Sequence, residues 1–254
     1  MPVSRVHLLA TVTLTIGLGA CSESNDMGEV SLQLATRRAP MMSSSTEASM
    51  VAAPGQLTIA LGPDEIVLDR IQIVLRKIRL DGAPTADCPE DAEGDAQCGE
   101  VRLGPVVFDL PLGEEAEPTF TALVPVGSYD RFKFQIHKPS NANSDADLVA
   151  QHPEMEDVSI RATGTYNGTP FNFTSDLTEV EELTLAGAVE VTEEGQLPLT
   201  LHVDAADWFA NEAGTGLLDP AQADGGQPYE SEVEQNIRVS FRAFRDADRD
   251  GVGD

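Results

Sequence analysis

The feature that most constrains this chain is a pair of alternating segments joined by Asn167-Gly168. Asn-Gly suits a two-residue type I′ turn, because both central residues need a positive φ. Such a turn fixes the register and places Gly164 opposite Phe171. The sequence therefore predicts an antiparallel hairpin over residues 158–174 with one buried face. The predicted buried face consists of Ile160, Ala162, Gly164, Phe171 and Phe173.

Short strand-like segments separated by turn signals recur along most of the chain. They cover residues 101–110, 119–124, 132–136, 183–185, 189–191 and 197–203. Repetition of this kind is typical of two packed antiparallel sheets. A chain of 254 residues with 41% hydrophobic residues can bury a sizeable core. The predicted fold class is therefore mainly β, an antiparallel sandwich of immunoglobulin-like or similar type.

The segment from Ile66 to Leu80 fits two patterns. Its apolar residues match a helical stripe when read from Val67, and they match strand alternation when read from Ile71. The high content of β-branched residues favours the strand. A strand here needs a bulge near Asp69-Arg70, where the alternation changes parity. The helix stays open as the alternative.

The C-terminal part of the chain predicts a helix over about 230–245, packed on the sandwich. Ser231 and Glu234 form a capping-box pattern at its start. Residues at helical spacing follow, namely Val233, Ile237, Phe241 and Phe244.

Trp208 follows Asp204 in a short helical turn for which Asp204 is the predicted cap. Trp208, Tyr129 and Tyr166 have the ring types of a sugar-stacking platform. The neighbouring Phe209 favours a core position for Trp208 instead. Tyr129 is expected to anchor a strand corner.

The first 21 residues have the pattern of an export signal. Arg5 precedes an apolar stretch from about Leu8 to Leu18, which is short for a bilayer span. The stretch ends in Leu18-Gly19-Ala20-Cys21, which resembles the lipobox of bacterial lipoproteins. The resemblance implies a signal peptide over residues 1–20 and a lipidated Cys21 as the mature N-terminus. An ordinary cleaved signal with an incidental cysteine is the alternative.

The lipoprotein resemblance also implies a place in the cell. It puts the protein in the bacterial cell envelope, bound to the membrane through lipidated Cys21. Ser22 after the cysteine resembles the signal for routing to the outer membrane.

Three segments follow from these patterns. Residues 1–20 are the signal peptide, and residues 21–55 are a lipidated tether. The tether contains one alternating strand at Val30, Leu32 and Leu34, which we expect to be half-buried and paired loosely or not at all. Residues 56–254 are the sandwich domain with its helix and its Asp-rich end.

Cys88 and Cys98 flank an acidic loop. In an exported protein, two cysteines at this spacing most simply form a disulfide that closes the loop. A metal site is the alternative, although neither a histidine nor a third cysteine lies nearby in the sequence.

The Asp-rich end resembles the first half of an EF-hand or thrombospondin-type calcium loop, with a glycine after three alternating carboxylates. It lacks the bidentate glutamate of an EF-hand, so we expect weak calcium affinity. A solvated acidic tail is the alternative. The candidate ligands are Asp246, Asp248, Asp250, Val252 and Asp254.

The chain carries 43 acidic and 16 basic residues, a net charge of -27. Removal of residues 1–20 takes away one basic and no acidic residue, so the charge becomes -28. This charge excludes a simple electrostatic interaction with nucleic acid or with anionic lipid. His137, His152 and His202 lie in unrelated contexts, and the sequence has no nucleophile elbow, phosphate loop or dinucleotide motif.

These observations predict a lipid-anchored, non-enzymatic module with a binding or structural role. Its partner would be a protein or a glycan. One alternative is a calcium-dependent adhesion or carbohydrate-binding module that uses the Asp-rich end. A second alternative is an envelope hydrolase.

Overall fold

The computed structural model describes residues 26–36, 49–53, 55–82, 104–112, 117–248 and 253. Within these residues the fold is mainly β, with two sheets and two short α-helices. The four-stranded sheet consists of β1 (Met27–Ala35), β6 (Glu117–Pro125), β11 (Gln196–Val203) and β12 (Phe241–Arg245). The eight-stranded sheet consists of β2 (Ser49–Ala53), β3 (Gln56–Leu61), β4 (Asp64–Asp81), β5 (Val106–Asp109), β7 (Gly127–Ile136), β8 (Ile160–Tyr166), β9 (Thr169–Ser175) and β10 (Glu179–Val191). The helices are α1 (Ala146–Gln151) and α2 (Glu230–Val239). The predicted sandwich-like β fold is confirmed.

The hairpin predicted around Asn167-Gly168 is confirmed as β8 and β9. Asn167 has a φ of 50° and Gly168 a φ of 78°, as a type I′ turn requires. Gly164 pairs with Phe171 in the predicted register. The glycine is required by packing as well, because a Cβ at this position would lie 1.9 Å from the carbonyl oxygen of Val67.

The segment from Ile66 to Leu80 lies in the long strand β4, so the helical alternative is wrong. The pairing with β8 shifts between Leu68 and Arg70, where the sequence required a bulge. A second shift lies between Arg76 and Arg79, opposite β7. The two shifts change the parity twice and keep the apolar residues on the inner face. These inner residues are Ile66, Leu68, Ile71, Ile73, Leu75, Ile78 and Leu80.

One half of the eight-stranded sheet faces the four-stranded sheet. We call it the sandwich half, and it comprises residues 75–81 of β4 together with β7 and β10. Phe134 of β7 packs against Phe241 of β12 with ring centroids 5.2 Å apart. A small gap between the sheets is lined from both sides by aliphatic and aromatic residues, Ile78 and Leu199 among them.

The other half of the eight-stranded sheet faces the irregular segment 204–229 and α2. We call it the capped half, and it comprises residues 64–73 of β4 together with β3, β8 and β9. Phe209 packs edge-on against Phe173 of β9, with ring centroids 5.3 Å apart. Two residues of α2, Val233 and Ile237, are buried in the same core. The predicted packing of the helix on the sheet is therefore present.

β1 differs from the expected loose strand of the tether. It lies inside the four-stranded sheet, between β11 and β6. Ser31 and Gln33 are buried as well as the alternating apolar residues, so the strand is covered on both faces. Its pairing with β11 is parallel, with Glu29 opposite Gln196, so the prediction of a wholly antiparallel sandwich is wrong here. The two strands lie far apart in sequence, so no tight turn sets their relative direction.

The predicted helix over 230–245 is wrong in its second half. α2 ends at Val239, and residues 241–245 form β12 on the edge of β11. That edge supplies backbone hydrogen bonds, which outweigh the local helical spacing. The predicted capping box is absent: Tyr229 is the N-cap, and Glu234 Oε1 accepts a hydrogen bond from Ser175 Oγ at 2.9 Å.

No sequence pattern predicted the segment between β7 and β8, residues 137–159, which we call the excursion. Residues 137–159 contain α1 and fold over the outer face of β4. Val74 packs there against Leu148, Val149 and Met155, in a small cluster outside the main core.

The remaining strand predictions are confirmed with different bounds. The strand expected over 101–110 is seen as β5, and residues 101–103 lie outside the described residues. The two segments expected at 183–185 and 189–191 are one strand, β10, with a pairing shift between Thr184 and Val189.

Candidate functional site

The three cysteines that carry the predicted lipidation and disulfide, Cys21, Cys88 and Cys98, lie outside the described residues. The nearest described element to Cys21 is β1, which begins six residues later at Met27. Val126 N–H donates to the carbonyl oxygen of Asp26 at 2.8 Å, so the chain is fastened to the fold directly before β1. Among the described helices, none has the length and apolar character that crossing a membrane requires.

The Asp-rich end is described only in part. Asp246 is fully buried, and its Oδ2 accepts a hydrogen bond from Thr200 Oγ1 at 3.0 Å. Asp248 is exposed, and the other three candidate ligands (Asp250, Val252 and Asp254) lie outside the described residues. One of the five candidate ligands is therefore held within the fold by β11. The calcium site stays a prediction.

The structure brings together three carboxylates that the sequence did not single out. One oxygen from each of Asp176, Glu230 and Glu234 lies within 4.8 Å of the others. Their donors within the fold are Lys138 Nζ to Asp176, Arg238 Nη2 to Glu234, and the backbone N–H of Gly226 to Glu230. Each of the three carboxylates is therefore bonded within the protein, and these bonds explain why the carboxylates lie close together. The i, i+4 spacing of the two glutamates on α2 was the only signal in the sequence.

A buried histidine and aspartate fasten the excursion to the sheet. His137 Nε2 lies 2.9 Å from Asp145 Oδ2, and both residues are buried. Burial raises the pKa of Asp145, but hydrogen bonds from His137, Ser140 N and Ser144 Oγ outweigh it and hold that pKa below its ordinary value. Because the Ser144 hydroxyl bonds to the carboxylate, the relay of a serine-histidine-aspartate triad is not formed by these residues.

The other two histidines of the predicted domain lie elsewhere. His152 follows α1, and its Nδ1 is 3.5 Å from Glu154 Oε1. His202 lies on β11, in the other sheet, opposite Arg242 of β12. The three histidines do not converge, so they give the hydrolase alternative no support.

An ion-pair network covers the outer face of the sandwich half. Lys133 Nζ lies 3.0 Å from Asp81 Oδ2 and 2.7 Å from Glu182 Oε2. Arg79 pairs with Asp81 at 2.8 Å, and Arg131 pairs with Glu182 at 3.3 Å. Burial lowers the pKa of Lys133, but its bonds to the two carboxylates raise it more. Arg79, Arg131 and Lys133 are therefore neutralised by acids of the same sheet.

A cavity of about 260 Å³ lies where β10 ends and β11 begins. Its charged lining consists of Glu190, Glu194 and Arg245, and no histidine lines it. At its edge, Gln196 Nε2 donates to Glu29 Oε1, which joins β11 to β1. The cavity is thus a polar cleft at the end of the sandwich where β1 begins.

The aromatic residues considered for sugar stacking have structural roles. Trp208 is fully buried, and its Nε1 donates to Ser240 Oγ at 2.9 Å, so its predicted core position is confirmed. Asp204 stands at the N-cap of this turn, but its side chain makes no capping hydrogen bond. Tyr129 is buried and donates from its hydroxyl to the Pro125 carbonyl oxygen at 2.7 Å, which confirms the predicted strand corner.

Comparison of this chain with protein-family models, with curated proteins and with solved structures found no match.

Proposed function

We propose that this protein is a lipid-anchored component of the bacterial cell envelope. In this proposal an acylated Cys21 holds a β-sandwich close to the membrane, where the domain has a binding or structural role. The observation that carries it is the Leu18-Gly19-Ala20-Cys21 sequence, followed after only five residues by a strand of the sheet, which begins at Met27.

The charge of the chain supports a lipid anchor over an electrostatic one. The chain without residues 1–20 has a net charge of -28, which anionic headgroups repel. A single acyl chain gives only marginal membrane binding, whereas two give stable anchoring. The net charge therefore supports acylation of the mature N-terminus as the means of attachment.

The contacts of the titratable groups support a non-enzymatic role. His137 is paired with a buried carboxylate, and Lys133 is engaged by two carboxylates of its own sheet. These groups stabilise the fold. In this proposal the ligand of the domain is a protein or a glycan.

The proposal is tested by expressing the full chain in a bacterium that processes lipoproteins and feeding a clickable fatty acid. The Cys21→Ala variant should lose the label and leave the membrane fraction. The Cys88→Ala/Cys98→Ala double variant is the matched control, because it removes two thiols and keeps Cys21. It should keep the label.

Separation of inner and outer membranes on a density gradient tests the routing. We expect the wild-type chain in the outer-membrane fraction. Retention of the Cys21→Ala variant in membranes, or a wild-type chain without label, would contradict lipid anchoring.

A further inference from the structure

Three exposed apolar side chains lie together at the end of the sandwich where β1 begins. Met27, Leu123 and Val126 are 36%, 64% and 43% exposed. Met27 pairs with Pro125, and Leu123 pairs with Glu29 two residues along the same strands. Alternation places Met27 and Leu123 on the same outer face, and Val126 follows directly at the corner. We call Met27, Leu123 and Val126 the apolar rim.

The apolar rim is held rigidly. The Tyr129 hydroxyl fixes the corner through the Pro125 carbonyl oxygen at 2.7 Å, and Val126 N–H bonds to Asp26. Val124, on the opposite face of β6, is buried at 1% exposure. The rim side chains therefore point away from the core on a backbone that the core fixes.

The position of the rim relative to Cys21 is limited by covalent geometry. Residues 22–25 separate Cys21 from Asp26, so the two lie five residue steps apart. Five residue steps extend at most about 18 Å. Since Val126 bonds to Asp26, the rim lies at the end of the fold where the anchor attaches.

Among the described residues, two other large apolar side chains are comparably exposed, but at the opposite end. Val180 pairs with Gln135, eleven residues along β10 from Val191, which pairs with Gly127 beside the rim. Val239 is 64% exposed and Val180 is 60% exposed. Val239 ends α2 two residues before β12, whose first residue Phe241 pairs with Val203 at the far end of β11. Seven residue steps separate Gln196, beside the start of β1, from Val203, a distance of about 23 Å along the strand. These residues are natural controls for the rim.

We propose that the apolar rim rests in the headgroup region of the bilayer when Cys21 is acylated. This inference depends on the proposed lipid anchor and adds the orientation of the domain on the membrane. Apolar side chains of a surface-bound segment insert into the headgroup and acyl boundary. Asp26 and Glu29 flank the rim, so a zwitterionic lipid surface suits it better than an anionic one.

The test uses the acylated full chain in phosphatidylcholine vesicles that contain lipid with a nitroxide near the top of the acyl chain. A fluorophore is attached to Leu123→Cys or Val126→Cys. Val239→Cys and Val180→Cys are the matched controls, and the chain without an added cysteine is the blank for labelling. Fluorescence should be lost at the two rim positions and kept at the two controls.

Flotation of the same vesicles separates the two proposals. If the protein floats with the vesicles but the rim labels are quenched no more than the controls, the rim orientation is wrong and the anchor stands. Equal quenching at all four positions also overturns the orientation. If the acylated protein does not float, the lipid anchor and the orientation both fail. Stronger quenching at the rim in anionic vesicles would overturn the preference for a zwitterionic surface.

Discussion

The two halves of the eight-stranded sheet bury apolar faces of the same kind under different covers. The sandwich half faces regular strands, whose alternating residues such as Leu32 and Leu199 are buried. The capped half faces an irregular segment, where Trp208 and Phe209 are each 0% exposed. In both halves the buried area is apolar, but only the first cover has its backbone paired by neighbouring strands.

The irregular cover of the capped half needs side chains to satisfy its backbone. Asn236 Nδ2 donates to the carbonyl oxygens of Trp208 and Ala210 at 3.1 and 2.9 Å. Asp224 Oδ1 accepts from Thr174 N–H at 2.6 Å and thereby occupies a donor of β9. The stability of such an irregular cover depends on a few side-chain hydrogen bonds. In a second sheet, many backbone hydrogen bonds between neighbouring strands share this role. Single substitutions in the capped half should therefore disturb that half before the other.

The largest effect is expected for Trp208→Ala. Removal of a fully buried tryptophan should lower the free energy of unfolding by about 3–5 kcal/mol. The measurement is urea unfolding combined with amide hydrogen exchange. Amides of β8 and β9 should exchange faster, while amides of β1 and β11 keep their relative protection.

Trp208→Phe is the control for this prediction, because it keeps an aromatic ring and loses the hydrogen bond to Ser240. It should cost less than the alanine variant. Uniform loss of protection across both sheets would show that the two halves unfold as one unit. The two halves would then not differ in stability.

The next effect is expected for Gly164→Ala, at the centre of the hairpin in the capped half. The added Cβ would lie 1.9 Å from the Val67 carbonyl oxygen, so β4 and β8 must move apart. We expect a loss of about 3 kcal/mol, the upper range for overpacking. Gly187→Ala on β10 is the matched control, because a Cβ there has no neighbour within 4 Å. Equal denaturation midpoints for both variants would contradict the close approach at Gly164.

The regular parts of the fold could be predicted because two independent signals agreed. At the hairpin, the turn chemistry of Asn167-Gly168 and the alternation gave the same register. In β4, the parity change near Asp69 required the bulge that the structure has. In each case the information is local, since a strand carries its own period.

The cover of the capped half could not be predicted in the same way. The burial of Trp208 was expected from its apolar neighbour, but its contact with Ser240 lies 32 residues away. Phe241 continued the helical spacing of α2, and only the edge of β11 makes it a strand residue. The acidic cluster was missed because Asp176 meets Glu230 and Glu234 through tertiary structure alone.

The excursion over 137–159 joins the two halves, and its acid stability depends on Asp145. The folded state holds the pKa of Asp145 below the ordinary value of about 4, so the carboxylate stabilises the fold above that pH. This contribution is lost as the pH falls through the lower, folded value. Asp145→Asn should lose about 1–3 kcal/mol at neutral pH and show a weaker dependence on acid.

Urea midpoints between neutral pH and pH of about 3 test the Asp145 prediction. Asp147→Asn is the matched control, because this residue is exposed on the first turn of α1. Its curve should follow the wild type. Parallel curves for the wild type and Asp145→Asn would mean that the pair with His137 adds no pH-dependent stability.

A smaller effect is expected for Tyr129→Phe, in the sandwich half. The variant loses the hydrogen bond to Pro125 O at 2.7 Å, which should cost about 1 kcal/mol. Burial raises the pKa of Tyr129 to about 12. The neutral hydroxyl is therefore favoured by folding, and wild-type stability should fall as the pH rises from about 10, the ordinary value, towards the folded value. The variant should show less of this fall.

Tyr166→Phe provides the matching measurement in the capped half. Its hydroxyl donates to Leu217 O at 3.4 Å, a longer and weaker bond. At neutral pH it should therefore cost less than Tyr129→Phe, although it lies under the irregular cover. Such a result would mean that, in the capped half, only substitutions of buried aromatic or close-packed residues cause a large loss of stability. A larger loss for Tyr166→Phe would instead show that even weak polar contacts hold the irregular cover in place.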